Sequence, residues 1–159
     1  MEEQLVRGAI VNELLVAGRY ALALANQELR AAGVDPDEYG PVSFIGTLQP
    51  VTRTRLAEAT GEPRTTERDR LRRLVERGHV REIPNPNDGR STLLELTPAG
   101  QEIFDRGLPA FRRALARLNH ALEGRGPEYE EAVWRVRRAL QSLVVEQPPD
   151  SLTTPTRRA

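Results

Sequence analysis

A mainly α-helical chain carrying one small β-hairpin is what this sequence predicts, and three observations predict it. Aromatic residues make up only 4% of the 159 residues against 38% hydrophobic ones, so the core must be Leu, Val and Ala. That composition suits helix packing better than a β-sandwich. Long stretches space their apolar residues at helical intervals. Only around residues 80–96 does the pattern change: β-like stretches at 80–83 and 91–96 flank a turn-forming run, Pro84, Asn85, Pro86, Asn87, Asp88 and Gly89. Turn residues between two such stretches predict a hairpin with an extended tip. The tip carries Arg90 beside Asp88, and an Arg-rich segment, residues 64–73, lies just upstream. A basic helix followed by an Arg-tipped hairpin is how a winged helix-turn-helix grips a DNA duplex.

Residues 4–32 read as one long helix, with Leu5, Ile10, Leu14, Ala17, Ala21, Leu24 and Leu29 at helical spacing and Gly33 and Pro36 ending it. Residues 34–40 read as a turn, and a short apolar helix over 41–48 is stopped by Pro50. Thr52 caps a helix at 53–59 that Gly61 closes. Pro63 suits the first turn of the next helix, which runs to Arg77 ahead of Gly78. Two helices joined across a glycine in this way have the size of a helix-turn-helix. After the hairpin, Thr97 and Pro98 start a helix carrying Ile103, Phe104, Leu108, Phe111, Leu115 and Leu118, which Pro109 should kink. Gly124 and Gly126 break the pattern, and a last helix over 127–146 carries Tyr129, Val133, Val136, Leu140 and Leu143 as a stripe. The segment from 147 to 159 has little to bury and is expected to be disordered.

The order implies a helical dimerisation region (residues 1–33 and 101–146), a winged helix-turn-helix lobe (41–100) and a tail (147–159). The terminal helices carry apolar stripes wider than one protomer of this size would cover. A homodimer is therefore expected, with Leu5, Ile10, Val136, Leu140 and Leu143 in the interface. Packing within one chain is the alternative.

The chain has 23 basic and 23 acidic residues, and every basic one is Arg. Each cationic contact is thus a planar fork suited to phosphate or guanine. The charge is uneven: residues 1–50 hold three Arg against seven acids, and residues 51–90 hold ten against seven. A mildly basic middle beside an acidic N-terminal part suits a DNA reader flanked by another module. There is no cysteine, which excludes disulfides, thiolate metal sites and thiol redox sensing. His79 and His120 are the only histidines, and neither has nearby partners at metal-ligand spacing, so no metal and no cofactor are expected. No catalytic triad or phosphate-loop spacing appears, and the protein is expected not to be an enzyme. No apolar run approaches a membrane span and no signal segment is evident, so a cytoplasmic protein without membrane contact is expected.

Three stretches carry a family resemblance. They are Arg73-Leu74-Val75-Glu76-Arg77-Gly78-His79-Val80-Arg81-Glu82-Ile83, then Pro84-Asn85-Pro86-Asn87-Asp88-Gly89-Arg90, then Leu94-Glu95-Leu96-Thr97-Pro98-Ala99-Gly100. In the Asp-x-Arg tip followed by Leu-x-Leu-Thr-x-x-Gly, and in element order over about residues 4–146, the chain resembles the MarR (multiple antibiotic resistance regulator) family of transcription regulators. The resemblance implies a dimer whose recognition helices enter successive major grooves while the wings reach adjacent minor grooves, on a nearly palindromic double-stranded operator. It also implies a repressor relieved by a small aromatic or anionic effector.

Under that resemblance Arg90 enters a narrow minor groove, where the negative potential attracts guanidinium. Asp88 either holds Arg90 or stabilises the turn. Placing Leu71, Leu74 and Val75 inward at helical pitch turns Thr65, Thr66, Asp69, Arg72, Arg73 and Glu76 outward. Thr65 and Thr66 are placed to reach base edges, and Arg70 and Arg73 to reach phosphate or guanine. Two residues depart from the family's pattern: Glu67 falls on the buried face, and Asp69 stands where many members carry a DNA-contacting Arg. Arg64, Arg68 and Arg70 surround Asp69 and either neutralise it or leave it to accept from cytosine. Arg53 and Arg55 open the first helix of the motif, where they clamp phosphate or form a solvated face. For an effector the candidates are Arg19 and Tyr20 on the first helix, Tyr39, Phe44 and Leu48 around the second, and His120; core packing accounts for the same residues. A winged helix that binds protein instead of DNA, and a small-molecule-binding protein on this scaffold, are the remaining readings.

Overall fold

The computed structural model describes residues 10–145. They form α1 (Ile10–Ala31), α2 (Pro36–Leu48), β1 (Val51–Thr52), α3 (Arg53–Thr60), α4 (Arg64–Glu76), β2 (Val80–Pro84), β3 (Thr92–Leu96), α5 (Pro98–Ala121) and α6 (Gly126–Val145). The fold class is the expected one, helical with a small antiparallel sheet. Leu5, the side chain of Arg64 and the 147–159 tail lie outside what is described.

Two expectations need correcting. The 34–40 turn is mostly helix, because α2 begins at Pro36. Asp35 caps it by accepting the Asp37 N–H at 3.0 Å, and Pro36 occupies the first turn, where a missing N–H costs nothing. The real reversal is one residue of left-handed backbone, Gly33 at φ 69°, with the Val34 N–H returning to the Leu29 carbonyl at 2.9 Å. Second, Pro50 is followed by a strand, β1, which pairs antiparallel with β3 in the order β1-β3-β2. Two residues are too few to show alternation, so only pairing with Leu93 and Leu94 reveals β1. The chain also continues as helix through Pro109.

In the hairpin Val80 pairs with Leu96 and Pro84 with Thr92, leaving residues 85–91 as the tip. Val80, Leu94 and Leu96 face one core with Leu56, Leu71 and Ile45. That core takes in the C-terminal end of α1 at Leu29 and the first turns of α5 at Ile103 and Ala110.

The start of α5 shows why Thr97 and Gly100 belong to the signature. The Thr97 N–H donates to the His79 carbonyl at 3.0 Å. Its hydroxyl donates to the Gly78 carbonyl at 2.6 Å and accepts the Gly100 N–H at 3.2 Å. This draws the helix so close that a Cβ on Gly100 would lie 2.0 Å from the His79 oxygen. Farther along, a Cβ on Gly107 would lie 2.1 Å from the Tyr39 ring. Both glycines are buried.

The described residues form two compact units that divide after Arg117. The division falls inside α5, whose first turns share the core of the lobe before it. Within the first unit Glu28 of α1 receives Arg113 at 3.1 Å and Arg117 at 2.6 Å, both from α5. These donors hold the Glu28 carboxyl below its ordinary value of 4.5. In the second unit the Gly126 N–H donates to Asn119 Oδ1 at 3.0 Å, fixing the turn into α6.

Candidate nucleic-acid interface

The helix-turn-helix is built as its caps dictate. Thr52 accepts the Arg55 N–H at 3.2 Å to start α3, and Gly61 takes a left-handed φ of 68° to end it. Glu62 in the turn pairs with Arg70, which ties the turn to α4 and leaves Arg70 half-buried. Leu71 and Leu74 of α4 are buried and Glu67 lies on that inner face at 8% exposure, as the helical pitch predicts, whereas Val75, expected inward beside them, sits at the edge of the face and is exposed. Thr65, Thr66, Arg68, Asp69, Arg72, Arg73 and Glu76 are exposed on the outer side. Arg72 lies 3.9 Å from Asp69 and 4.0 Å from Glu76, so two carboxylates share one guanidinium across this face. Among the described residues no side chain caps the N-terminus of α4 at Pro63.

At the wing tip two side chains fold the loop through the backbone. Asn85 Oδ1 accepts the Asn87 N–H and Asp88 Oδ1 accepts the Arg90 N–H, each at 3.0 Å. Asn85 Nδ2 donates to Ser91 Oγ at 2.8 Å, and the Ser91 N–H donates to the Asp88 carbonyl at 3.0 Å. Of the two roles open to Asp88, the geometry selects the turn. The Arg90 guanidinium is exposed and has no ion pair or hydrogen bond among the described residues. Arg81 and Glu95 pair across the two strands at 2.9 Å.

A link between these parts was not legible in the sequence. Arg53, the first residue of α3, pairs with Glu82 of β2, whose second oxygen accepts the Thr92 hydroxyl of β3 at 3.1 Å. Glu82 and Thr92 face each other diagonally in the hairpin register, a signal available only after the pairing is known. The pair borders a groove of about 250 Å³ whose other walls are Arg68, Arg72, Val75 and Glu76 of α4.

The remaining candidates are dispersed. Tyr39 is a core residue at 3% exposure, and its burial raises the phenol above its ordinary value of 10.0. Leu48 packs against the same core, whereas Arg19, Tyr20 and Phe44 are exposed. His120 is exposed near the end of α5. His79 Nδ1 is buried without a hydrogen-bond partner among the described residues. Among those residues no group of three His, Asp or Glu is placed to hold a metal ion, and no helix is long and apolar enough to cross a membrane. Ile10, Leu140 and Leu143, expected at a dimer interface, are exposed, and Val136 is half-exposed. Indeed α6 buries none of its described residues.

No family model and no curated protein matches this chain. Solved structures do. A protein described as a MarR family transcriptional regulator from Listeria monocytogenes, complexed with 26mer DNA, is 18% identical with a TM-score of 0.72, over 84% of this chain and 90% of that one. The M. tuberculosis transcriptional regulator MOSR, in complex with DNA, is 21% identical with a TM-score of 0.70, over 85% and 98%. Wild type MarR from E. coli, in its apo form, is 20% identical with a TM-score of 0.61, over 83% and 97%. The chain has the winged-helix fold of the MarR-family transcription regulators.

Proposed function

We propose that this protein is a homodimeric, sequence-specific DNA-binding transcription regulator, a repressor released from a near-palindromic operator by a small aromatic or anionic effector. The observation that carries the reading is the combination of an exposed polar face on α4 with an exposed Arg90, unpaired among the described residues, on a wing tip that Asp88 braces. In this reading Thr65, Thr66 and Arg73 read the major groove, Arg90 enters the minor groove, and Arg53, Arg64 and Arg68 meet phosphates. Arg70 supports the helix through Glu62. Structural neighbours solved with DNA support the same use of the fold.

Dimerisation is supported by exposed apolar side chains on the terminal helices: Ile10 at 61%, Leu15 at 57%, Val133 at 55% and Leu143 at 65%. Side chains of this size seldom stay in water in such numbers. An effector shifts the protein off DNA only by binding the non-binding conformation better. Arg19 and Tyr20 are the exposed pair available to an aromatic anion.

The test is selection of genomic fragments by the purified protein, followed by anisotropy titration of the enriched duplex across a salt series. Binding should weaken steeply with salt as counterions are released. Arg90→Ala should weaken it about tenfold or more, the scale of one lost specific contact, with an unchanged melting temperature. Fragments enriched without a common palindrome, or an Arg90→Ala variant that binds like wild type, would overturn the reading.

A further inference from the structure

We propose that Glu82 is a positioning residue that competes with the DNA backbone for Arg53, and so sets the level of affinity for any duplex. The inference rests on the DNA-binding reading above. Arg53 opens α3, the helix that in a helix-turn-helix crosses the backbone, and its guanidinium is engaged by Glu82 in the free protein. Glu82 is itself held, because its other oxygen accepts the Thr92 hydroxyl at 3.1 Å. The carboxylate thus bridges α3 to both strands of the wing.

The pair is within reach of solvent, with side chains 44% and 34% exposed, so a phosphate oxygen can take the place of the carboxylate. It stands at the edge of the groove that Arg68 and Arg72 line from α4. Of those three cations Arg53 is taken by Glu82, and Arg72 is shared by Asp69 and Glu76. Arg68 has no ion pair among the described residues. A backbone phosphate meeting Arg53 here comes up against the Glu82 carboxylate, and it must either displace that oxygen from the guanidinium or bind beside a like charge. The cost of that exchange is the same whatever the bases, so Glu82 scales binding without choosing sequence.

The test compares Glu82→Gln with wild type, since glutamine keeps an acceptor for Thr92 and removes the charge. On both an enriched operator and a mixed-sequence duplex, Glu82→Gln should bind about two- to fivefold tighter, the scale of one exposed ion pair. The gain should vanish when Arg53→Ala is already present. A loss of binding, or a gain that persists without Arg53, would refute the competition. Nitrogen-15 NMR of the Arg53 guanidinium supplies an arm that needs no DNA: its rotation should be slowed in wild type and free in Glu82→Gln, and equal mobility in the two overturns the proposal. Wild type that binds neither duplex, beside a guanidinium restrained as expected, places the failure in the DNA-binding reading itself and removes the competition with it.

Discussion

Replacing Gly100 by alanine should destabilise the protein, although the substitution lies in a helix where alanine is the better former. In an unobstructed helix interior the change gains about 1 kcal/mol. Here the added Cβ would stand 2.0 Å from the carbonyl oxygen of His79. That oxygen cannot swing away, because it is backbone and already accepts the Thr97 N–H at 3.0 Å. Relief requires α5 to move off the sheet, which stretches the Thr97 bonds to Gly78 and His79 together. Overpacking of this kind costs about 1–3 kcal/mol, and two constrained backbones put it at the upper end, for a net loss of about 2 kcal/mol. For a chain of 159 residues that lowers the melting temperature by roughly 4–8 °C. Thermal unfolding followed by circular dichroism at one fixed protein concentration measures it. Gly18→Ala in α1 is the control, since nothing lies within 4 Å of its Cβ, and it should be neutral or stabilising. A Gly100→Ala protein melting at or above the wild-type temperature would show that the helix does not depend on this approach.

The paired change Val133→Glu and Leu140→Glu places charge on the exposed face of α6, where the two side chains are 55% and 42% exposed. If the proposed dimer forms through this face, the paired change should leave a monomer in sedimentation with helix content retained, and a dimer that survives would move the interface elsewhere. Glu28 is held below its ordinary value by hydrogen bonds from Arg117 and then Arg113. The stability it contributes is therefore present above about pH 4.5 and is lost as pH falls through the lowered value. Glu28→Gln should melt below wild type at about pH 6, and the gap should narrow as pH falls below the ordinary value of 4.5. A gap that does not change with pH would remove the charge from the explanation.

Local signals were legible wherever a residue acts on its own neighbours. Thr52 and Gly61 bound α3 as caps, Asp88 and Asn85 fold the wing tip through bonds two residues away, and Leu71 and Leu74 bury at helical pitch. Glu67 was placed on the inner face by the same arithmetic. The misreading at 34–40 has a local cause as well: proline and two acids resemble a turn, yet they also make a good helix N-terminus once Asp35 caps it. The turn residues won the reading because the apolar run begins only at Pro41.

The helical class, the hairpin, the exposed face of α4 and the position of Arg90 are legible along the chain, because they depend on periodicity and on bonds between near neighbours. Tertiary structure alone decided what long-range contacts decide. Arg53 is engaged by a carboxylate 29 residues away, Tyr39 is spent on the core beneath Gly107, and β1 exists only because β3 is there to pair with it. Even the Thr97–Gly100 signature acquires its meaning this way. Read along the chain it is a cap and a glycine, but in the fold it is the point where α5 is pressed against the carbonyl of His79, a contact that no spacing along the chain encodes.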